Sequence, residues 1–288
     1  MGNRAKNHHI VPKVLQRQFG IEGDPLKIWR AKKDQLGTYS APKRKPIEKT
    51  FVIRDYNTIL EDEQRSDRIE RAFYAKLDDF LGRILPQTIE ILDRGEIPDF
   101  SDESLDSLRK TAMHMAKRTP DFLQDHDDFE LGKELVEDTL RAMPDDVPVE
   151  QRQKLEAELS NEARLRDRGR HIRVAATIND SQRVVETLSE FVPRWAISET
   201  KHSFILASRM VYRIGNGGSN GLSNPNMEMW MPICPKIALV LVRDIRNGIP
   251  HRNVASPEKI RQINQYAAKN SHEIASHSEK LLKSLVGM

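Results

Sequence analysis

His8 and His9 are adjacent imidazoles near the start of the chain, in Asn7-His8-His9-Ile10-Val11-Pro12. A neutral imidazole, with an ordinary pKa of about 6.5, takes up a proton at neutral pH, ligates a metal or contacts a phosphate. Their setting is basic: residues 1–54 carry 13 Lys/Arg against 4 Asp/Glu. For His8 the simpler reading is a hydrogen bond to the first helix; for His9 a site role and a structural one stand equal. Asp62, Glu63, Asp67 and Glu70 form an acidic cluster at the opening of a long helical stretch. Glu63, Asp67 and Glu70 can together present oxygens to Mg²⁺ or Mn²⁺. The alternative is ordinary acidity against the helix dipole, with Arg68 and Arg71 as partners. Glu70 differs from the others because it borders the apolar positions Ile69 and Phe73, where a carboxylate needs a partner.

Arg118, in Arg118-Thr119-Pro120, ends a helix. It can pair with a buried carboxylate such as Glu70 or clamp a phosphate. His114, one turn earlier between Met113 and Met115, either joins that cluster or belongs to the core. Asn264, amid Ile260, Ile263 and Ala267, is an amide on an apolar helix face and must find a partner if buried. The loop Asn216-Gly217-Gly218-Ser219-Asn220-Gly221 lacks the Gly-Lys-Ser/Thr of a P-loop and reads as a flexible connection. The only cysteine, Cys234, excludes a disulfide framework and a cysteine-rich zinc site and reads as a small apolar residue.

Elements must position these groups. Val11, Val14, Leu15 and Phe19 follow the spacing of a short helix. Residues 26–30 and 50–53 read as strands, with Lys43-Arg44-Lys45-Pro46 as a basic loop between them. A helix is expected from about Glu61 to Leu92, with Pro86 kinking or splitting it. Ser101 caps the next helix, to residue 118. Helices follow at 121–142, 149–168 and from His171 to Phe191. The strand-like runs 194–199, 203–207, 210–214, 227–233 and 237–242 come next, then a helix from Pro257 and a last one over 271–285. The reading is α+β, predominantly helical, with a small antiparallel sheet in the C-terminal half and a short basic N-terminal unit. It is taken as a single domain over 1–288, divided into 1–58, 59–193 and 194–288. No apolar stretch reaches the roughly 18 residues of a membrane helix, and the expected compartment is the cytoplasm.

Charge is uneven. Residues 55–168 carry 17 Lys/Arg against 30 Asp/Glu, and residues 169–288 carry 16 against 9. Either the basic ends pack on the acidic middle, or residues 1–54 and 169–288 offer a basic face to nucleic acid.

His-His-Ile-Val-Pro looks like the start of an HNH-type nuclease motif, in which one side chain binds a metal and the following His activates water. That motif continues with an Asn and then a His on a compact ββα unit. Here the first Asn after the pair is Asn57 and the next His is His114, so the spacing departs from it unless the partners come from distant segments. More broadly, the chain resembles the bacterial domain-of-unknown-function family 4238. The shared features are His8-His9 with Val11-Pro12, Leu15 and Phe19; Glu70 in Arg68-Ile69-Glu70; Arg118-Thr119-Pro120; Pro232-Ile233-Cys234-Pro235; and Asn264. The family's usual Ser-Asp-x-Pro is replaced here by Ser208-Arg209-Met210, which removes an acidic group. The family's character suggests a setting of defence against mobile elements.

Two functions stay open. One is a metal-dependent nuclease or other phosphodiester-acting enzyme, with His9 as general base, Glu70 as orienting or metal-binding carboxylate, Arg118 as anion stabiliser and Asn264 in support; the metal would be held by His8, His9 and Glu70. The other is a non-catalytic nucleic-acid- or protein-binding module with a structural His/Glu/Arg network. Both expect His9 and Glu70 in contact, with Arg118 or Asn264 completing the cluster.

Overall fold

The computed structural model describes residues 7–61, 64–122, 127–244 and 246–287. In chain order the elements begin with β1 (Asn7–His9), α1 (Lys13–Gln18), β2 (Lys27–Lys32), β3 (Lys43–Pro46), β4 (Val52–Arg54), β5 (Ile59–Glu61) and β6 (Gln64–Ser66). A helical middle follows: α2 (Ala75–Asp93), α3 (Asp102–Lys117), α4 (Asp128–Ala142), α5 (Val149–Leu159), α6 (Glu162–Ile178) and α7 (Gln182–Ser189). The C-terminal part holds β7 (Phe191–Ile197), β8 (Leu206–Ala207), β9 (Tyr212–Ile214), β10 (Glu228–Cys234), β11 (Ile237–Arg243), β12 (Arg252–Val254), α8 (Pro257–Lys269), β13 (Glu273–Ser276) and α9 (Glu279–Val286). The fold is α+β, with its larger sheet in the C-terminal half. No described helix is long and apolar enough to cross a membrane.

The chain groups into two units. The first is Met1–His8, Ile53–Lys76 and Leu123–Asp180; the second is His9–Val52, Leu77–Phe122 and Ser181–Met288.

In the first unit, α4 and α6 run antiparallel against each other. Two glycines permit the approach. A Cβ on Gly132 would stand 1.9 Å from the Leu165 carbonyl oxygen, and one on Gly169 would stand 1.7 Å from that of Asp128. Val136, Leu165 and Val174 are buried. Arg173, also buried, donates to Asp128 at 2.9 Å and to the Tyr56 carbonyl at 2.8 Å, with its guanidinium over the Tyr56 ring. β5 and β6 form a hairpin, Ile59 opposite Ser66. It occupies the start of the stretch expected to be helical from about Glu61, where cross-strand pairing of Leu60 with Arg65 and Glu61 with Gln64 overrides local propensity. α5 buries none of its residues, as its charged sequence leads one to expect. The expected helix 149–168 breaks at Asn161, whose side chain caps α6 at the Arg164 N–H.

In the second unit a five-stranded sheet has the order β12-β7-β11-β10-β9, and a four-stranded sheet has the order β3-β2-β13-β8. β11 is central to the first, flanked by antiparallel β7 and β10. Six of its residues are buried, which explains its unbroken apolar run. β12 joins the edge in parallel with β7. The expected basic loop 43–46 is strand β3, paired with β2 from Lys27↔Pro46 to Arg30↔Lys43. Its Lys and Arg side chains suit an edge strand, where charge blocks further pairing. The expected break at Pro86 does not occur; α2 runs through it, held by a buried face of Leu81, Leu85, Thr88 and Leu92. The helix expected to Phe191 ends earlier: Ser181 caps α7 and Phe191 opens β7. The helix expected over 271–285 begins instead as β13, an interior strand, because Ile274 and Ala275 are needed between β2 and β8.

Gly169→Ala is expected to lower stability by at least the upper end of the roughly 1–3 kcal/mol typical of overpacking. The clash is with backbone, which cannot rotate away. Urea unfolding of the variant against wild type measures this, and an unchanged midpoint would contradict the close helix contact.

Candidate functional site

β1 presents its two histidines to opposite faces, as successive strand residues must. His8 is fully buried. Its Nδ1 accepts the backbone N–H of Asn57 at 2.9 Å. A ring nitrogen that accepts is unprotonated, so neutral His8 carries its hydrogen on Nε2. Asn57 lies in the turn after β4, where Asp55 adopts a left-handed φ of 54°. It is buried, and its amide Nδ2 donates to Glu70 Oε2 at 2.9 Å. His8 Nδ1 and Glu70 Oε2 are 4.0 Å apart. Because Nδ1 is already an acceptor, this approach is not an ion pair while the ring is neutral; Asn57 is what ties the two side chains together.

Glu70 opens a single π-helical stretch, Glu70–Tyr74, ahead of α2. Such stretches are rare and concentrate at functional sites. The Glu70 side chain retains 17 % exposure, so this carboxylate meets solvent while resting on a buried amide. Asp67 behaves otherwise: it is buried and pairs with Arg71 at 2.8 Å, one turn on, while Arg68 pairs with Glu61 at 3.1 Å. Asp62 and Glu63 of the acidic cluster lie outside the described residues.

The remaining candidates belong to the second unit. His9 is half-buried, and its Nε2 stands 3.4 Å from the carbonyl oxygen of Ile47. Carbonyls only accept, so this contact places the hydrogen on Nε2 and makes Nδ1 the basic nitrogen. Within the first unit it is His8 that stands beside Glu70. Arg118 is 1 % exposed and pairs with Asp78 through both terminal nitrogens, the longer contact being 3.3 Å. His114 is buried and its carbonyl accepts the Arg118 backbone N–H. Asn264 uses both ends of its amide on the chain leading into β8: Oδ1 accepts from Ile205 N–H at 3.1 Å and Nδ2 donates to the Ser203 carbonyl at 2.8 Å. Arg209 donates to the Asp121 carbonyl at 2.8 Å. Cys234 is buried, and burial pushes its thiol up to about 11, which keeps it protonated at neutral pH. Among the described residues no group of three His, Cys, Asp or Glu side chains is gathered as a metal site.

The family model for Protein of unknown function (DUF4238) matches residues 7–280. The chain belongs to this family. The match takes in every residue of the histidine, glutamate, arginine and asparagine set. No curated protein and no solved structure matches the chain.

Sequence reasoning passed over Asn57 and Asp78. Asn57 was visible as the first Asn after the histidine pair, but its distance in sequence hid it. The intervening residues, about 40 by number, fold into α1, β2 and β3 before the chain returns as β4 to pair with β1.

Asn57→Ala is expected to cost about 1–3 kcal/mol, the penalty for stripping a buried bond from a charged acceptor. Asn57→Asp is expected to cost more at neutral pH, since it sets a second carboxylate against Glu70. That repulsion raises a carboxyl pKa in the folded state, so the deficit of this variant shrinks as pH falls toward about 4. Thermal melts of both variants between neutral pH and that value measure it; a deficit that grows on acidification would contradict the contact.

Proposed function

We propose that the protein is a phosphodiester-acting hydrolase of the nuclease type, with the His8–Asn57–Glu70 cluster at the heart of its site. The observation that carries this reading is the order of parts: a strand bearing the histidine pair, a second strand paired with it, an Asn in the turn that follows, and a helix bearing Glu70. That is a ββα arrangement with the Asn in place. The long spacing between the histidine pair and the Asn is then occupied by the residues between β1 and β4, and Glu70 stands on the helix where an HNH-type motif carries its last His.

Each residue has a task that its surroundings suit. Asn57 fixes the ring of His8 and the carboxylate of Glu70 at once. His9, next in the chain, is the proton acceptor, its Nδ1 made basic by the hydrogen that Nε2 presents to Ile47. Glu70 is the group that would hold Mg²⁺ or Mn²⁺. The chemistry of the donor fits: Mg²⁺ is commonly bound by one or two carboxylates with water and substrate phosphate completing its shell, and the Glu70 carboxylate keeps partial exposure. His8 fits less well as a ligand, since its Nδ1 is engaged by Asn57. A bound divalent ion would supply charge stabilisation to the phosphoryl oxygens. The basic residues of 1–54 and 169–288 supply attraction to a polyanionic substrate, DNA or RNA. The reading suits a cytoplasmic protein whose one thiol is buried, and a role in defence against mobile elements would follow from such an activity.

One observation favours a second reading, a nucleic-acid- or protein-binding module without catalysis. His8 is wholly buried and Asn264 is committed to backbone, as members of a structural network would be.

The two readings separate in one experiment. Purified protein is incubated with single-stranded and duplex DNA and RNA in Mg²⁺ or Mn²⁺. Cleavage is expected, with His9→Ala and Glu70→Gln each reducing it by about 10²–10⁴-fold, the usual worth of a general acid–base group, at a melting temperature close to wild type. Cleavage unaffected by His9→Ala removes the assignment of the base. No cleavage, with a lowered melting temperature in His9→Ala, supports the binding module.

A further inference from the structure

A second polar feature lies wholly within the second unit and does not depend on the hydrolase reading. Arg209 follows β8 in the turn toward β9, and Arg213 lies in β9. Both line a small cavity of about 70 Å³ with Ala116, Phe122, Val211, Asn220 and Tyr266. Val211 precedes β9 and Arg213 lies within it, and both reach the cavity wall. Asn220 comes from the glycine-bearing loop between β9 and β10.

The two guanidinium groups are short of negative charge. Among the described residues neither forms an ion pair with a carboxylate. Arg209 donates to a backbone carbonyl, that of Asp121. Arg213 has its guanidinium 5.8 Å above the Phe122 ring. The nearby acid, Asp121, is committed to His272: its Oδ1 accepts the His272 backbone N–H at 3.0 Å and lies 3.0 Å from the ring Nδ1. Arg213 is half-buried, and burial depresses its pKa, with the positive charge of Arg209 adding to the effect. Arginine stays charged in spite of such a shift. Two like charges are thus held around one cavity, partly removed from water, at a standing cost that an anion between them would offset.

The size of the cavity narrows the anion. A water needs roughly 10–15 Å³ of such space, so this one admits a group of about five atoms. That suits a tetrahedral oxyanion and excludes a whole nucleotide. Planar guanidinium forks are the side chains best shaped to bind phosphate oxygens; Asn220 offers an amide at the same wall, while the Tyr266 hydroxyl donates to the Arg213 carbonyl at 3.3 Å and so braces β9.

We infer that Arg209 and Arg213, with Asn220, form a binding site for one phosphate group, either inorganic phosphate or the terminal phosphate of a nucleic acid strand. The site's chemistry is the same for both sources, and the experiment distinguishes them. Calorimetric titration of the full chain with inorganic phosphate, at constant ionic strength in a phosphate-free buffer, is expected to show saturable binding. Arg209→Gln and Arg213→Gln are each expected to weaken it at least tenfold, and Arg261→Gln, an exposed residue on α8, to leave it unchanged. In phosphate-free buffer Arg213→Gln is expected to melt no lower than wild type, since it removes a repelled charge; this keeps loss of binding separate from loss of fold. A parallel titration uses one oligonucleotide with either a 5′-phosphate or a 5′-hydroxyl. Preference for the 5′-phosphate, abolished by Arg213→Gln, assigns the site to strand ends. Binding of inorganic phosphate with no such preference assigns it to free phosphate. Absence of saturable phosphate binding by wild type, or equal binding by Arg213→Gln, overturns the inference.

Discussion

A single buried carboxylate organises the second unit. Glu273 in β13 is 2 % exposed and holds Arg30 of β2 through two bonds, at 2.8 and 3.1 Å. Its Oε1 also accepts the backbone N–H of Phe51 at 2.8 Å. Phe51 takes a left-handed φ of 54°, a conformation costly for a bulky residue. The carboxylate offsets that cost, and the turned chain then lets the Phe51 carbonyl accept the Ile10 N–H at 2.9 Å. Ile10 follows His9. The placement of the His9 backbone in this unit therefore traces back through Ile10 and Phe51 to one acid more than 200 residues away in sequence. A buried charge costs several kcal/mol unless it is paired, and this pairing is what makes β13 indispensable between β2 and β8.

The first unit is built on a different constraint. Its close helix pair depends on two missing side chains, Gly132 and Gly169, and on Arg173, which spans from α6 to Asp128 and to the Tyr56 carbonyl. Tyr56 immediately precedes Asn57. Holding its carbonyl fixes the turn in which Asn57 can give its backbone N–H to His8 and its side chain to Glu70. Helix packing thus reaches the polar cluster by one backbone bond. α5, rich in charged residues, contributes no buried residue to this arrangement.

What the sequence made legible follows from which interactions are local. The cap at Ser101, the buried run of β11 and the Pro257 helix start are written within a few neighbouring residues, and each was readable. So were the histidine pair and Glu70, because imidazoles beside a Pro turn and an acid beside Ile69 are unusual within short windows. The failures share one cause. Residues 43–46 became a strand, and 271–276 became β13, only because distant partners needed them; Lys43-Arg44-Lys45 carries no apolar alternation, and Glu273 beside Ile274 satisfies a helical stripe as well as a strand. Asp78 as the partner of Arg118, and Asn57 as the link from His8 to Glu70, are pairings across 40 and 49 residues, which no local pattern encodes. Tertiary demand overrode propensity at those places.

The two histidines show how one strand makes unlike groups from like residues. Both are best described with the hydrogen on Nε2, yet the consequences differ. The lone pair of His8 Nδ1 takes the Asn57 N–H, so that ring serves as a buried acceptor that anchors the turn. The hydrogen of His9 Nε2 faces the Ile47 carbonyl, which directs basicity to Nδ1 in a half-buried ring. Alternation along β1 sends the first to the interior and the second toward a wetter environment. A Gln in place of His8 could supply the acceptor, and nothing but an imidazole supplies at His9 both an orienting donor and a base near neutral pH. Full burial and an engaged Nδ1 thus make His8 an anchor of the turn, while His9 is the ring of the pair that keeps partial exposure.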